Sequence, residues 1–338
     1  VDLPYIWFLV VGFLFVGYFV LDGFDFGVGM SMPFLAKDDT DRRVLINTIG
    51  PVWDLNETWL IVAGACLFAA FPEWYATLFS GFYLPLLLIL LALILRGVSF
   101  EYRHQGKGAR WTGWFDRFII FGSAVPALLW GVAFANILHG TPIDAEKNFT
   151  GTLFDLLGPY ALLGGATTLL LFFTHGVLFV ALKTDGDIRQ RARRLAARSG
   201  VITVMVAALF LIWTVVDHLE SPILWLVVAC AAGAAVALIA ALTANARGRE
   251  GRAFAGLAVT IALAVGTILA ALFPNVMVSS TDPAFNLTIE NAASSPYTLG
   301  LMSWVALAAV PLVLGYQGWT YWVFRRRVTR ESIPVAHG

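Results

Sequence analysis

The sequence predicts an all-α polytopic membrane protein, and three observations carry that expectation. Nine apolar stretches are each long enough to cross a bilayer, and the composition is strongly apolar, with 59% of the 338 residues hydrophobic and only 13% charged. At about 1.5 Å of rise per residue, roughly 20 residues cover the ~30 Å hydrocarbon core. The stretches are 4–29, 51–71, 75–100, 114–138, 155–182, 199–217, 222–244, 252–272 and 298–324. Most connections between them are short and polar, which suits antiparallel neighbours in a helical bundle. The exception is 273–297, a loop of 25 residues that contains no Lys or Arg.

The third observation is the placement of charge. Formal net charge is zero, which gives no indication of nucleic-acid binding, but the average hides a strong segregation. Every Lys and Arg except Lys147 falls in the first, third, fifth and seventh connections with their flanking helix ends, or in the C-terminal tail. Short loops rich in Lys and Arg stay cytoplasmic. The alternation therefore predicts an extracytoplasmic N-terminus, a cytoplasmic C-terminus and an odd number of spans. Nine satisfies that condition. Trp74, Tyr75, Trp111, Trp114, Trp319, Tyr321 and Trp322 fall near the expected helix ends, as interfacial aromatics do. Cys66 and Cys230 lie inside apolar runs and read as small buried hydrophobes, with no disulfide framework or C-x-x-C motif. The opening Val-Asp-Leu-Pro has no basic stretch before the first apolar run, so a cleaved signal peptide is not expected.

The second stretch is the unusual one. Gly50 to Leu60 reads Gly-Pro-Val-Trp-Asp-Leu-Asn-Glu-Thr-Trp-Leu, two carboxylates, two tryptophans and an amide opening an otherwise apolar span. Pro51 suits a first helical position, where its missing N–H costs nothing. Asp54 and Glu57 are three apart and share a face. Carboxylates at such depth are costly. Two readings stand: first-turn acids favoured by the helix dipole, or a cytoplasmic entry for protons. Asp22 and Asp25 lie near the inner end of the first span in Leu-Asp-Gly-Phe-Asp-Phe-Gly-Val-Gly, and the third span reaches Arg96 and Glu101 on the same side. Arg96 is expected to snorkel to the interface or to pair with one of these acids. Gly23 and Gly27, four apart, are packing glycines that would let another helix approach, with the second span the expected neighbour.

A membrane haem needs axial His or Met from bundle helices. His104, His139, His218 and His337 fall at ends, loops or the tail, leaving His175 as the one histidine well inside a helix. Composition leaves a pair with Met205 or Met302 open, but a hydrogen bond from His175 to another helix is the expected role. Asp217-His218-Leu219-Glu220 reads as a solvated turn. The arginine-rich run from Lys183 to Arg198 reads as an inner anchor, with anionic headgroup binding a secondary reading.

Four pieces together carry a family resemblance: Leu21–Gly29, Gly50–Ile61, Arg96–Arg103, and the segment from Trp114-Phe115-Asp116 to Gly122-Ser123. Over essentially its whole length the chain resembles subunit II of the cytochrome bd-type quinol oxidases. The resemblance implies two four-helix bundles plus a peripheral helix, nine spans in all. On this chain that means a first bundle over 1–140, a second over 141–272, an extracytoplasmic loop at 273–297, and a last span with cytoplasmic tail at 298–338. It further implies that haems b558, b595 and d, with their ligands, belong to a partner, subunit I. No haem ligand, metal site or catalytic residue is then expected here. The complex would oxidise quinol on the outer side, reduce O2 to water and take protons from the cytoplasm, generating a proton motive force. Asp54 matches the acid of the Gly-Pro-x-Trp-Asp motif assigned to the proton path at the subunit interface, and Glu57, Asp25 and Asp22 are placed beside it. Some relatives also hold a structural quinone or an oxygen channel in this subunit. The quinol type, a small accessory subunit and the oligomeric state stay open. The alternative class is an ion-coupled secondary transporter, for which only a broken first helix at Gly23 and Gly27 would speak.

Overall fold

A computed structural model describes residues 2–106 and 108–333, and its architecture is helical throughout apart from one small two-stranded sheet. The helices are α1 (Leu3–Leu35), α2 (Asp39–Ile49), α3 (Trp53–Ala70), α4 (Pro72–Gly81), α5 (Tyr83–Tyr102), α6 (Ala109–His139), α7 (Pro159–Lys183), α8 (Gly186–Asp217), α9 (Leu224–Ala246), α10 (Glu250–Leu272) and α11 (Pro296–Val323). Eight of them are individually long and apolar enough to cross a membrane. The expected ninth span exists only as a pair, α2 and α3, bent by 47° at Gly50–Val52.

Several boundaries differ from the sequence reading, each for a local reason. Pro51 is not a first helical residue: it lies in the turn between α2 and α3, and α3 starts at Trp53. The stretch 75–100 is not one helix but α4 followed by α5. Pro85 has no N–H for the carbonyl four residues back, at Gly81, and the helix breaks there. The first span does not end at 29 but continues to Leu35, so Asp22 and Asp25 lie well inside α1 rather than near its end. The fifth connection is itself helical, because α8 extends back through the arginine run to Gly186.

Helix α1 is central and packs on α3, α6, α7 and α10, while α7, α8, α9 and α10 close a ring through neighbouring contacts. Helix α5 packs on α6, and α11 packs mainly on α1 and α3. Along α11 only Leu299, Gln317 and Thr320 are buried, so this helix presents nearly its whole surface outward. Helices α1 and α7 approach backbone to backbone. A Cβ on Gly27 would fall 2.0 Å from the Phe172 carbonyl oxygen, and one on Gly176 2.3 Å from Gly27 C. The second span was the expected neighbour of Gly23 and Gly27. The structure corrects this: Gly23 faces Phe172, and both glycines serve the α1–α7 contact.

The basic ends of the helices gather at one end of the molecule. Arg103 binds Asp116 and Asp39 at 2.6 Å each, joining α5 and α6 to α2. Asp41, fully buried, accepts from Arg191 at 2.7 Å and from Arg330 at 2.5 Å. The segment after α11 thus folds back: Val328 N–H donates to the Lys183 carbonyl at 2.7 Å, and Arg330 reaches Asp38 at 2.7 Å. The Asp41 backbone N–H and then the Arg330 guanidinium hold the Asp38 carboxyl below its ordinary range. A lowered folded pKa means that the contribution is present above the unfolded value, about 3.9, and is lost as pH falls through the folded one. Acidification below about pH 4 is therefore expected to release residues 325–333. Hydrogen exchange at Val328 N–H checks this, and protection at pH 3 equal to that at pH 7 would contradict it.

The opposite end is closed by 273–295. Strands β1 (Asn275–Met277) and β2 (Leu287–Thr288) pair antiparallel. Val278 N–H donates to the Ile137 carbonyl, Ser279 Oγ to that of Ile143 at 2.9 Å, and Ser294 N–H to that of Ala70 at 2.8 Å. Lys147 Nζ donates to the Asn291 carbonyl at 2.9 Å. This loop forms a cap across the ends of α3 and α6.

Candidate functional site, a buried cluster of acids and amides

Four helices bring their polar residues to one place. Asp22 and Asp25 lie three apart on α1, so one face carries both, and both are fully buried. Arg96 on α5 is also fully buried, and its Nη2 donates to Asp22 Oδ1 at 2.6 Å and to Glu57 Oε2 at 3.0 Å. Its guanidinium carbon sits 4.3 Å from the Phe26 ring centroid, so the cation is flanked by a π face as well as by carboxylates. Gly122 on α6 makes this possible, since a Cβ there would lie 2.5 Å from the Ala92 carbonyl oxygen and 2.7 Å from Arg96 Cβ. Arg96 thus pairs inward rather than snorkelling.

A second half of the cluster is built from amides. Asn56 on α3 donates through Nδ2 to Asp25 Oδ2 at 2.7 Å, and its Oδ1 accepts from Gln317 Nε2 at 3.0 Å and Tyr321 O–H at 2.8 Å, both on α11. Trp59 Nε1 donates to Gln317 Oε1 at 3.3 Å. The otherwise exposed α11 is therefore pinned to α3 by hydrogen bonds inside an apolar setting. Among the described residues, Asp22 Oδ2, Asp25 Oδ1 and Arg96 Nε and Nη1 are buried without a hydrogen-bond partner.

The four expected acids do not all meet. Asp22, Asp25 and Glu57 converge on Arg96 and Asn56, with the Glu57 side chain 24% exposed. Asp54 stands apart, exposed in the first turn of α3, while Trp53 beside it packs on Phe100 at 5.1 Å. The shared face inferred for Asp54 and Glu57 splits because α5 claims Glu57 through Arg96. Sequence reasoning missed Gln317 and Tyr321 as members of the cluster. A signal existed, since Gln317 is a polar residue within an apolar span, where such a residue calls for a partner.

The family model for "Cytochrome bd terminal oxidase subunit II" matches residues 3–324. The chain belongs to that family. It is 43% identical over 335 residues to cytochrome bd ubiquinol oxidase subunit 2 of Bacillus subtilis, covering 97% of each chain. It is 38% identical over 368 residues to cytochrome bd-I ubiquinol oxidase subunit 2 of Escherichia coli K12, covering 98% of this chain and 96% of that one. Among solved structures it matches a chain of the bd oxidase from Geobacillus thermodenitrificans with a TM-score of 0.77, covering 96% of this chain and 99% of that one. At 17% identity this last likeness concerns the fold alone.

Haem is the cofactor implied by a cytochrome family, and its axial ligands would be His or Met. Buried His175 has Nε2 3.1 Å from the Val20 carbonyl oxygen, and its ring stacks on Phe254 with centroids 4.5 Å apart. One ring face and Nε2 are thus taken by the cross-helix contact, while Nδ1 is buried without a hydrogen-bond partner among the described residues. Met205 is 60% exposed on the outer surface of α8 and does not converge with it. His139 Nδ1 lies 3.3 Å from Asp217 and His218 Nδ1 2.8 Å from the Thr214 carbonyl oxygen, while His104 is exposed. His337 lies outside the described residues. Among the described residues no group of three or more His, Cys, Asp or Glu is arranged to hold a metal ion.

Proposed function

We propose that this chain is the haem-free subunit of a bacterial quinol:oxygen oxidoreductase, supporting a haem-bearing subunit I and conducting protons from the cytoplasmic side. The observation that carries the reading is the buried cluster. Asp22 and Glu57 share a single guanidinium there, Asp25 is held beside them by Asn56, and exposed Asp54 stands at the start of the helix that carries Glu57. Ionisable groups inside a bilayer mark ion or proton paths by default, and an excess of acids over cations provides sites that can carry a proton. Glu57, partly exposed and bonded to Arg96, stands between the surface and Asp22. The names of the Bacillus and Escherichia relatives support quinol as the electron donor.

In this reading the arginine-rich end faces the cytoplasm, which sets the N-terminus outside and the C-terminus inside. Asp54 then faces the partner subunit across the open surface of α3. The ring of α7, α8, α9 and α10, and the set of α1, α3, α5 and α6, correspond to the two four-helix bundles, with α11 peripheral. Haems b558, b595 and d reside in subunit I. The transporter alternative gains no support, because α1 runs unbroken through Gly23 and Gly27.

Asp54→Asn in the assembled complex is expected to slow oxygen reduction by about tenfold or more, as loss of a proton-transfer group does, while leaving the haem spectrum unchanged. Asp54→Glu should retain turnover. Unchanged turnover in the Asn variant, with assembly verified by the spectrum, would refute the proton role.

A further inference from the structure

We propose that the hollow between α8 and α9 at the arginine-rich end binds the headgroup of one anionic phospholipid. The inference stands independently of the oxidase reading, on how the arginines are partnered. On the α2 side arginines share buried carboxylates: Arg42 and Arg103 share Asp116, and Arg191 and Arg330 share Asp41. On the α8–α10 side, Glu250 serves both Arg189 at 2.8 Å and Arg193 at 3.7 Å, with Asp185 a second partner of Arg189 at 3.9 Å. Arg194, Arg198, Arg247, Arg249 and Arg252 have no carboxylate within 4.0 Å among the described residues.

The surplus positive charge borders a concavity. Gln190, Arg193, Arg194, Ala197, Asn245 and Ala246 line a hollow of about 370 Å³. Its floor is rigid: Arg193 Nη2 donates to the Asn245 carbonyl at 3.1 Å, and Asn245 Nδ2 returns a bond to the Arg193 carbonyl at 3.0 Å. Asn245 is only 2% exposed, and its Oδ1 has no donor among the described residues. Arginine guanidinium suits a phosphodiester, so the chemistry is that of an anionic phospholipid such as phosphatidylglycerol. One to three turns further along, the lining helices turn apolar surface outward, through Val201, Ile202 and Met205 of α8 and Val236 and Ile239 of α9. A bound phosphate would thus sit where its acyl chains can continue along the membrane-facing surface, as basic pockets between spanning helices do.

The test uses the whole complex, delipidated in neutral detergent and returned to nanodiscs of phosphatidylcholine alone or with phosphatidylglycerol. Retained lipid is read by native mass spectrometry and stability by the thermal midpoint. Phosphatidylglycerol is expected to be retained and to raise the midpoint, and phosphatidylcholine to do neither. Arg194→Gln should weaken retention about fivefold, equivalent to about 1 kcal/mol per arginine near an anionic surface, whereas Arg326→Gln at the other edge should not. Equal retention in both variants would overturn the proposal. So would equal stabilisation by inorganic phosphate, which would mark the hollow as a site for a soluble anion.

Discussion

Replacing Arg96 by Gln is expected to destabilise this subunit severely. Arg96 is fully buried and is the cation that Asp22 and Glu57 share, so its removal leaves carboxylates in a low-dielectric interior with no counter-charge. Breaking a buried pair from one side costs about 3–5 kcal/mol, against a total stability for a domain of about 5–15 kcal/mol. The Phe26 face over the guanidinium loses its cation as well. Membrane-inserted yield and the thermal midpoint of the complex measure the effect. The pairing itself is tested by the double variant Arg96→Gln with Asp22→Asn, which removes a charge from each side. It should recover much of the yield, because a neutral pair of similar shape costs far less than a lone buried ion. If the double variant is as poor as Arg96→Gln alone, the charge argument fails and the loss is one of packing.

The second large effect is expected at Gly27→Leu. The contact with α7 is backbone on backbone: a Cβ at Gly27 would meet the Phe172 carbonyl oxygen at 2.0 Å and Gly176 N at 2.6 Å. No rotamer change relieves a clash with a backbone, so α1 and α7 must separate. Overpacking typically costs about 1–3 kcal/mol, and here the upper end or beyond is expected. Because α1 touches α3, α6, α7 and α10, the displacement also carries Asp22 and Asp25 away from Arg96 and Asn56. Gly300→Ala on α11 is the control, since nothing lies within 4 Å of its Cβ. A thermal midpoint unchanged in Gly27→Leu would show that the helices are not in the close register described.

The membrane class, the number of apolar stretches and the clustering of basic residues at one end were legible from residue order alone. They depend on local quantities, apolar length and loop charge, that a bilayer reads segment by segment. The acids were legible for a similar reason, because a carboxylate inside an apolar run stands out wherever its neighbours are. What lies across from a side chain is not local. Spacing put Asp54 and Glu57 on one face, yet Arg96, 39 residues from Glu57, draws only Glu57 inward. Asn56 meets Gln317 261 residues away, and Gly27 meets α7 rather than the second span. The break at Gly81 could have been read from Pro85, but the extension of α1 to Leu35 could not, because a helix leaving the bilayer loses its apolar signature without losing its hydrogen bonds. Sequence by itself therefore determined which residues carry charge into the membrane. Only the tertiary structure decided which charges share a site, because a buried ion is tolerated only beside a counter-ion or a hydrogen bond, and helix packing alone supplies those partners.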